Sequence, residues 1–136
     1  MKKSKKIFLL ISSAIILFGM LYGTTYIPKK IITMDASEVS KIDVFDGNRG
    51  EQITVIDSEQ IKHIISNLNK ITFNKGKPSI GYTGYKFRMT IYDGNGKEQK
   101  ELIINSNNKI RYKGFFYTGK KSSIDFDYID KIFKKS

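Results

Sequence analysis

Hydrophobic and polar positions fall into two regimes along the chain. From Ile7 to Ile27 no residue is charged, and the run is apolar on all sides. From residue 39 onward the pattern becomes periodic, first with period two and then with helical spacing. Val39 to Asp46 places Ile42 and Val44 on one face, which predicts a strand. Asp46-Gly47-Asn48-Arg49-Gly50 supplies turn residues, and Glu51 to Ile56 alternates again through Ile53 and Val55. Ile61, Ile64, Ile65 and Leu68 then follow the i, i+3, i+4, i+7 spacing of an amphipathic helix. Asp57 or Ser58 caps it, with Gln60 three positions after Asp57. Residues 74–84 contain Gly76, Pro78, Gly81 and Gly84, and these breakers predict a loop.

A second strand region follows. Phe87, Met89 and Ile91 alternate with polar neighbours through Tyr92, and Asp93-Gly94-Asn95-Gly96 turns the chain. Glu98 to Asn105 returns with Leu102 and Ile104 in register, and 105–108 turns again. Lys109 to Tyr117 reads as one last strand. Ser123 or Asp125 caps a final helix whose apolar side is Phe126, Ile129, Ile132 and Phe133. Its acids come early and its lysines late, as the helix dipole favours. The predicted order is β-β-α-β-β-β-α. Tight turns make neighbouring strands antiparallel. The expected fold class is therefore α+β, an antiparallel sheet of about five strands with two helices packed on it, plus an N-terminal transmembrane helix.

The leader changes the picture most. Four lysines precede the uncharged run, and 21 helical residues reach about 30 Å, the thickness of a bilayer core. The positive-inside rule orients such a helix with its N-terminus in the cytoplasm. Tyr22 and Tyr26 fall where an outer interfacial aromatic belt lies. A cleaved signal peptide is the alternative and would give a secreted protein, but Gly23-Thr24-Thr25 is a poor cleavage site. The expected organisation is 1–27 anchor or signal, 28–38 connector, and 39–136 extracytoplasmic domain. The chain carries 24 basic and 13 acidic residues, a net charge of +11. Six of the lysines and none of the acids lie before residue 31. There is no cysteine, which excludes disulfides, thiolate metal sites and a lipidated anchor. Frequent Ile, Lys and Asn suggest an AT-rich bacterial genome.

Candidate chemistry is sparse. The two Asp-Gly-Asn segments offer alternate oxygen ligands but contain Arg49 and Lys97, so they read as turns rather than calcium loops. His63 is the only histidine, about 200° around its helix from Ile61, and reads as an exposed residue without a metal-ligand partner nearby in sequence. Ser106-Asn107-Asn108-Lys109 matches S-x-x-K but lies in a turn without the companion motifs of acylating enzymes. No cofactor is expected. The strongest surface candidate is a basic face on two strands, Lys86, Arg88 and Tyr92 with Lys109, Arg111 and Lys113. Phe115 and Phe116 add adjacent aromatics that point to opposite faces of one strand. Such a face suits an anionic envelope polymer, a lipid surface or an envelope protein, and nucleic acid less so outside the cytoplasm. It equally suits a solvated sheet face with Glu98 and Glu101 pairing across it.

Lys109 to Tyr117, followed by Ile124-Asp125 and a final helix, resembles a family of short exported domains of Gram-positive bacteria. The similarity spans roughly residues 39–133 and includes the Asp57-Ser58 helix start. Members stand behind signal, anchor or lipoprotein leaders and have no characterised function. The resemblance implies an extracytoplasmic location, and because the family has no established site residues, no catalytic role carries over from it. The expected function is a non-enzymatic, membrane-tethered binding module. The alternative is an inhibitor or immunity-type protein acting on a secreted toxin or enzyme.

Overall fold

The structure, a computed structural model, describes residues 2–135. Helix α1 spans Lys2–Thr24, and none of its residues is buried. It is long and apolar enough to cross a membrane or to serve as a signal sequence. The remainder is one antiparallel sheet with two helices on one face. Its strands are β1 (Lys29–Lys30), β2 (Val39–Asp46), β3 (Glu51–Val55), β4 (Thr72–Pro78), β5 (Phe87–Asp93), β6 (Glu98–Ser106), β7 (Lys109–Tyr112) and β8 (Phe115–Lys120). Helix α2 is Ser58–Asn69 and α3 is Phe126–Lys135. The spatial order is β1-β4-β8-β7-β6-β5-β2-β3.

The fold class agrees with the sequence pattern, but the sheet has eight strands rather than about five. Three local features account for the difference. The expected single strand 109–117 is split by Lys113 and Gly114, with φ of 48° and 84°. Two successive positive φ values are the mark of a primed hairpin turn, so the chain reverses there and Tyr112 pairs Phe115. The expected loop 74–84 begins as strand β4. Gly76 and Pro78 are tolerated because the register with β8 shifts between Lys75 and Pro78. The presumed connector also joins the body: Lys29 and Lys30 pair with Phe73 and Thr72, and Ile31 and Ile32 are core residues.

The core forms where the periodicity pointed. Ile42, Val44, Phe87, Met89, Ile91, Leu102, Ile104 and Ile110 line the inner face, with Ile61, Ile64, Ile65 and Leu68 of α2 above them. Phe87 takes Phe126 edge-on and stacks with Phe133, which fastens α3. Asp57 caps α2 by accepting from the Gln60 N–H at 3.0 Å. Asp125 caps α3 by accepting from the Tyr128 N–H at 3.2 Å.

Candidate functional site

The strand order sorts charge in a way the linear sequence hides. Strands β1, β4, β8 and β7 are consecutive in space and carry seven Lys or Arg and no Asp or Glu. Strands β6, β5, β2 and β3 form the other half and carry six acids against three bases. Two tyrosines register the charges nearest them. Burial raises both phenols, and their neighbours then decide. Around Tyr92 the charges of Asp43, Glu98 and Glu101 add to the rise. At Tyr112 the hydrogen bond and charge of Lys100, with Lys113, outweigh burial and bring the phenol below its ordinary value.

The eight residues of the predicted surface do not form one patch. Lys86 lies one residue before β5 and reaches the helix-covered side, where its Nζ is 3.8 Å from both Asp46 and Asp130. Arg88 is exposed on the helix-free face over the Phe45 ring. Tyr92 shares that face, under the ammonium group of Lys41 at 4.4 Å and among acids rather than bases. Arg111 is committed to structure: it donates to the carbonyls of Tyr82 and Gly84, both at 2.6 Å. It thereby pins the 79–86 loop onto the helix-free face. Tyr82 of that loop packs edge-on against Phe116, and Lys109 lies over the same ring. Phe116 is thus buried, and Phe115 points to the opposite side. Lys113 stays exposed at its turn beside Tyr112.

Phe115 marks a cluster that sequence reasoning missed. It forms part of a cradle around Lys75, whose Nζ is 3.9 Å from the Phe115 ring, 4.9 Å from Tyr26 and 5.1 Å from Tyr22. The same ammonium donates to Thr25 Oγ1 at 3.0 Å. The last turn of α1 therefore rests on β4. Because β4 reads as loop in the sequence, Lys75 carries no signal that it faces the end of α1. The only hint is the interfacial position of Tyr22 and Tyr26.

Two further clusters are structural. His63 Nε2 is 2.9 Å from Asp125 Oδ2, and its ring stacks on Tyr128 at 3.6 Å. Asn67 completes this clip by donating to the Ser123 carbonyl and accepting from the Asp125 N–H. The expectation that His63 is exposed holds, but it has a partner 62 residues away. The His63 hydrogen bond leads in holding the Asp125 carboxyl below its usual range, opposed by burial and assisted by the Tyr128 N–H. At the end of the sheet an open groove of about 1030 Å³ runs past Asn48, Asn67, Lys86, Asn105 and Asp125. Asn67 and Asn105 are already bonded across it, so it is a seam between loops. Beside it Asp46, wholly buried, and Asp130 face Arg49 and Lys86 at 3.6–3.8 Å.

No family model, curated protein or solved structure matches the chain. These comparisons add no support to the resemblance, and its Lys109–Tyr117 portion forms a hairpin rather than one strand.

Proposed function

We propose that the chain is a membrane-tethered, non-enzymatic interaction module, held N-terminus-in by α1 with its body outside the cytoplasm. One observation carries the reading. α1 presents its whole apolar surface outward while the body closes its own core without it, so the helix is built for a surrounding that the protein itself does not supply. Its 23 residues rise about 34 Å, enough for a hydrocarbon core. Lys2, Lys3, Lys5 and Lys6 favour retention of that end in the cytoplasm. Contact of Tyr22, Thr25 and Tyr26 with Lys75 supports an uncleaved helix, because signal cleavage nearby would remove part of this packing. Use as a binding rather than catalytic module is supported by the clip at His63. Its imidazole is bonded to Asp125 and stacked on Tyr128, an arrangement that joins two helices.

Alkaline extraction and intact-mass measurement of the full chain test the proposal. The chain is expected to remain with the membrane pellet and to retain residues 1–27. Recovery of a shortened chain in the medium would mean that α1 is a signal sequence.

A further inference from the structure

The cradle around Lys75 lies at the root of α1. Strand β1 runs antiparallel to β4, with Lys29 opposite Phe73, so the chain before Lys29 passes alongside Lys75. Pro78 pairs Phe115, and the Ser79 N–H donates to the Gly114 carbonyl at 2.8 Å, so the loop tip with Ile80 and the Lys113–Gly114 turn belong to the same end of the sheet. Ile80 is 87% exposed there and Lys113 is exposed beside it, whereas Lys77 lies over Phe116 on the helix-free face and donates to the Tyr82 hydroxyl at 2.7 Å. Among the described residues none of Lys75, Lys77 and Lys113 is in an ion pair. The Lys75 ammonium gives one hydrogen bond to Thr25, leaving two donors for an incoming anion. Three rings enclose its methylene-flanked charge in a partly dehydrated setting, where an anion is held more strongly than in open water.

We propose that Lys75, ringed by Tyr22, Tyr26 and Phe115, binds the phosphate of an anionic phospholipid headgroup in the leaflet from which α1 emerges. Lys113 extends the contact from its turn, and Ile80 enters the interface beside it. The acid-free half of the sheet is thereby seated on the bilayer, and the acid-bearing half with the helix-free face around Arg88 and Tyr92 points away. Lipid is favoured over a soluble polyanion on two grounds. The covalent anchor ends inside the cradle, and the residues that close it are interfacial tyrosines beside an exposed isoleucine. This inference rests on the tether reading, and the experiment separates the two.

The chain has no native cysteine, so an environment-sensitive dye can be placed at Ile80→Cys, with Asn107→Cys at the other end of β7 as control. The full-length protein is reconstituted in bilayers of phosphatidylcholine alone or with about 30% phosphatidylglycerol. Blue-shifted emission from position 80, and not from 107, is expected only with phosphatidylglycerol. Each lysine near an anionic surface shifts the docked-to-undocked ratio roughly fivefold, so Lys75→Gln and Lys113→Gln each lower it about fivefold. Lys113→Gln alters an exposed turn residue, so it reports even where Lys75→Gln perturbs packing. Equal emission in both bilayers, or emission insensitive to the lysine variants, overturns the headgroup site. So does a shift produced by soluble polyglycerol phosphate and not by phosphatidylglycerol, which assigns the site to an envelope polymer. A chain that alkaline buffer strips from the bilayer sinks the tether as well. One that resists stripping but shows no headgroup contact sinks only this site.

Discussion

Asp46 and Asp93 open the same Asp-Gly-Asn turn in two hairpins, yet their surroundings differ. Asp46 Oδ1 accepts from the N–H groups of Asn48 and Arg49, and the residue is wholly buried against Arg49 and Lys86. Asp93 makes the matching bonds to Asn95 and Lys97 at the surface. Asp46→Ala leaves two cations facing Asp130 alone and is expected to cost about 2–4 kcal/mol in denaturant unfolding. Asp93→Ala is expected to lose distinctly less. The glycines that follow should diverge likewise. A Cβ at Gly47 would collide with the Tyr85 carbonyl oxygen, whereas Gly94 has open space around it. Gly47→Ala is thus expected to cost about 1–3 kcal/mol, and Gly94→Ala to be tolerated. Acid sensitivity has a residue-level source at Asp125. Its folded-state pKa is depressed, first by His63, so its stabilisation is present above the unfolded carboxylate value of about 4 and is lost as pH falls through the folded value. Both partners are more than a third exposed, so the contribution is small. Unfolding midpoints of the wild type and Asp125→Asn should differ at neutral pH and converge on acidification.

At the scale of elements, Arg111 decides whether the 79–86 loop is part of the sheet face. Removing its guanidinium frees the Tyr82 carbonyl, leaves the Gly84 carbonyl only its longer bond from Asn105 and uncovers Phe116. Arg111→Ala is expected to cost about 1.5–3 kcal/mol and to make 79–86 the first site of limited proteolysis. An unchanged cleavage pattern would show that the loop is held by something else. Much of the element list was legible in the sequence. Period-two alternation located β2, β3, β5 and β6, and the Ile61–Leu68 stripe located α2, because each buries one continuous face. The missing strands fail that test for physical reasons. β4 carries Gly76 and Pro78, and its pairing is irregular at that point, so a breaker pattern disguises a strand. β7 and β8 read as one because the turn residue Lys113 adopts φ of 48°, a conformation without the usual Asn-Gly or Asp-Gly signature. The separation of the candidate surface residues was hidden for the same reason. Arg111 and Phe116 meet the 79–86 loop only through tertiary structure, and Lys86 precedes its strand and escapes the alternation. What the sequence did show of the cradle is its aromatic rim, Tyr22 and Tyr26.

Across the whole molecule, charge, anchor and topology share one axis. The sheet order gathers the acid-free strands β1, β4, β8 and β7 on the side where α1 is rooted, and leaves the acids on β6, β5, β2 and β3. On the headgroup proposal, a basic half beside an anionic membrane and an acid-bearing half away from it would give the body a defined orientation rather than a free tether. High ionic strength should therefore loosen the body from the bilayer without releasing α1, since only the first contact is screened. The tethered arrangement puts α1 across the membrane with the body outside. Membrane-impermeant maleimide labelling of single-cysteine full-length chains in intact cells tests it most directly, using Ser4→Cys before the span and Asn107→Cys in the body. Labelling is expected at position 107 in intact cells and at position 4 only after lysis. Labelling at 107 only after lysis would contradict it.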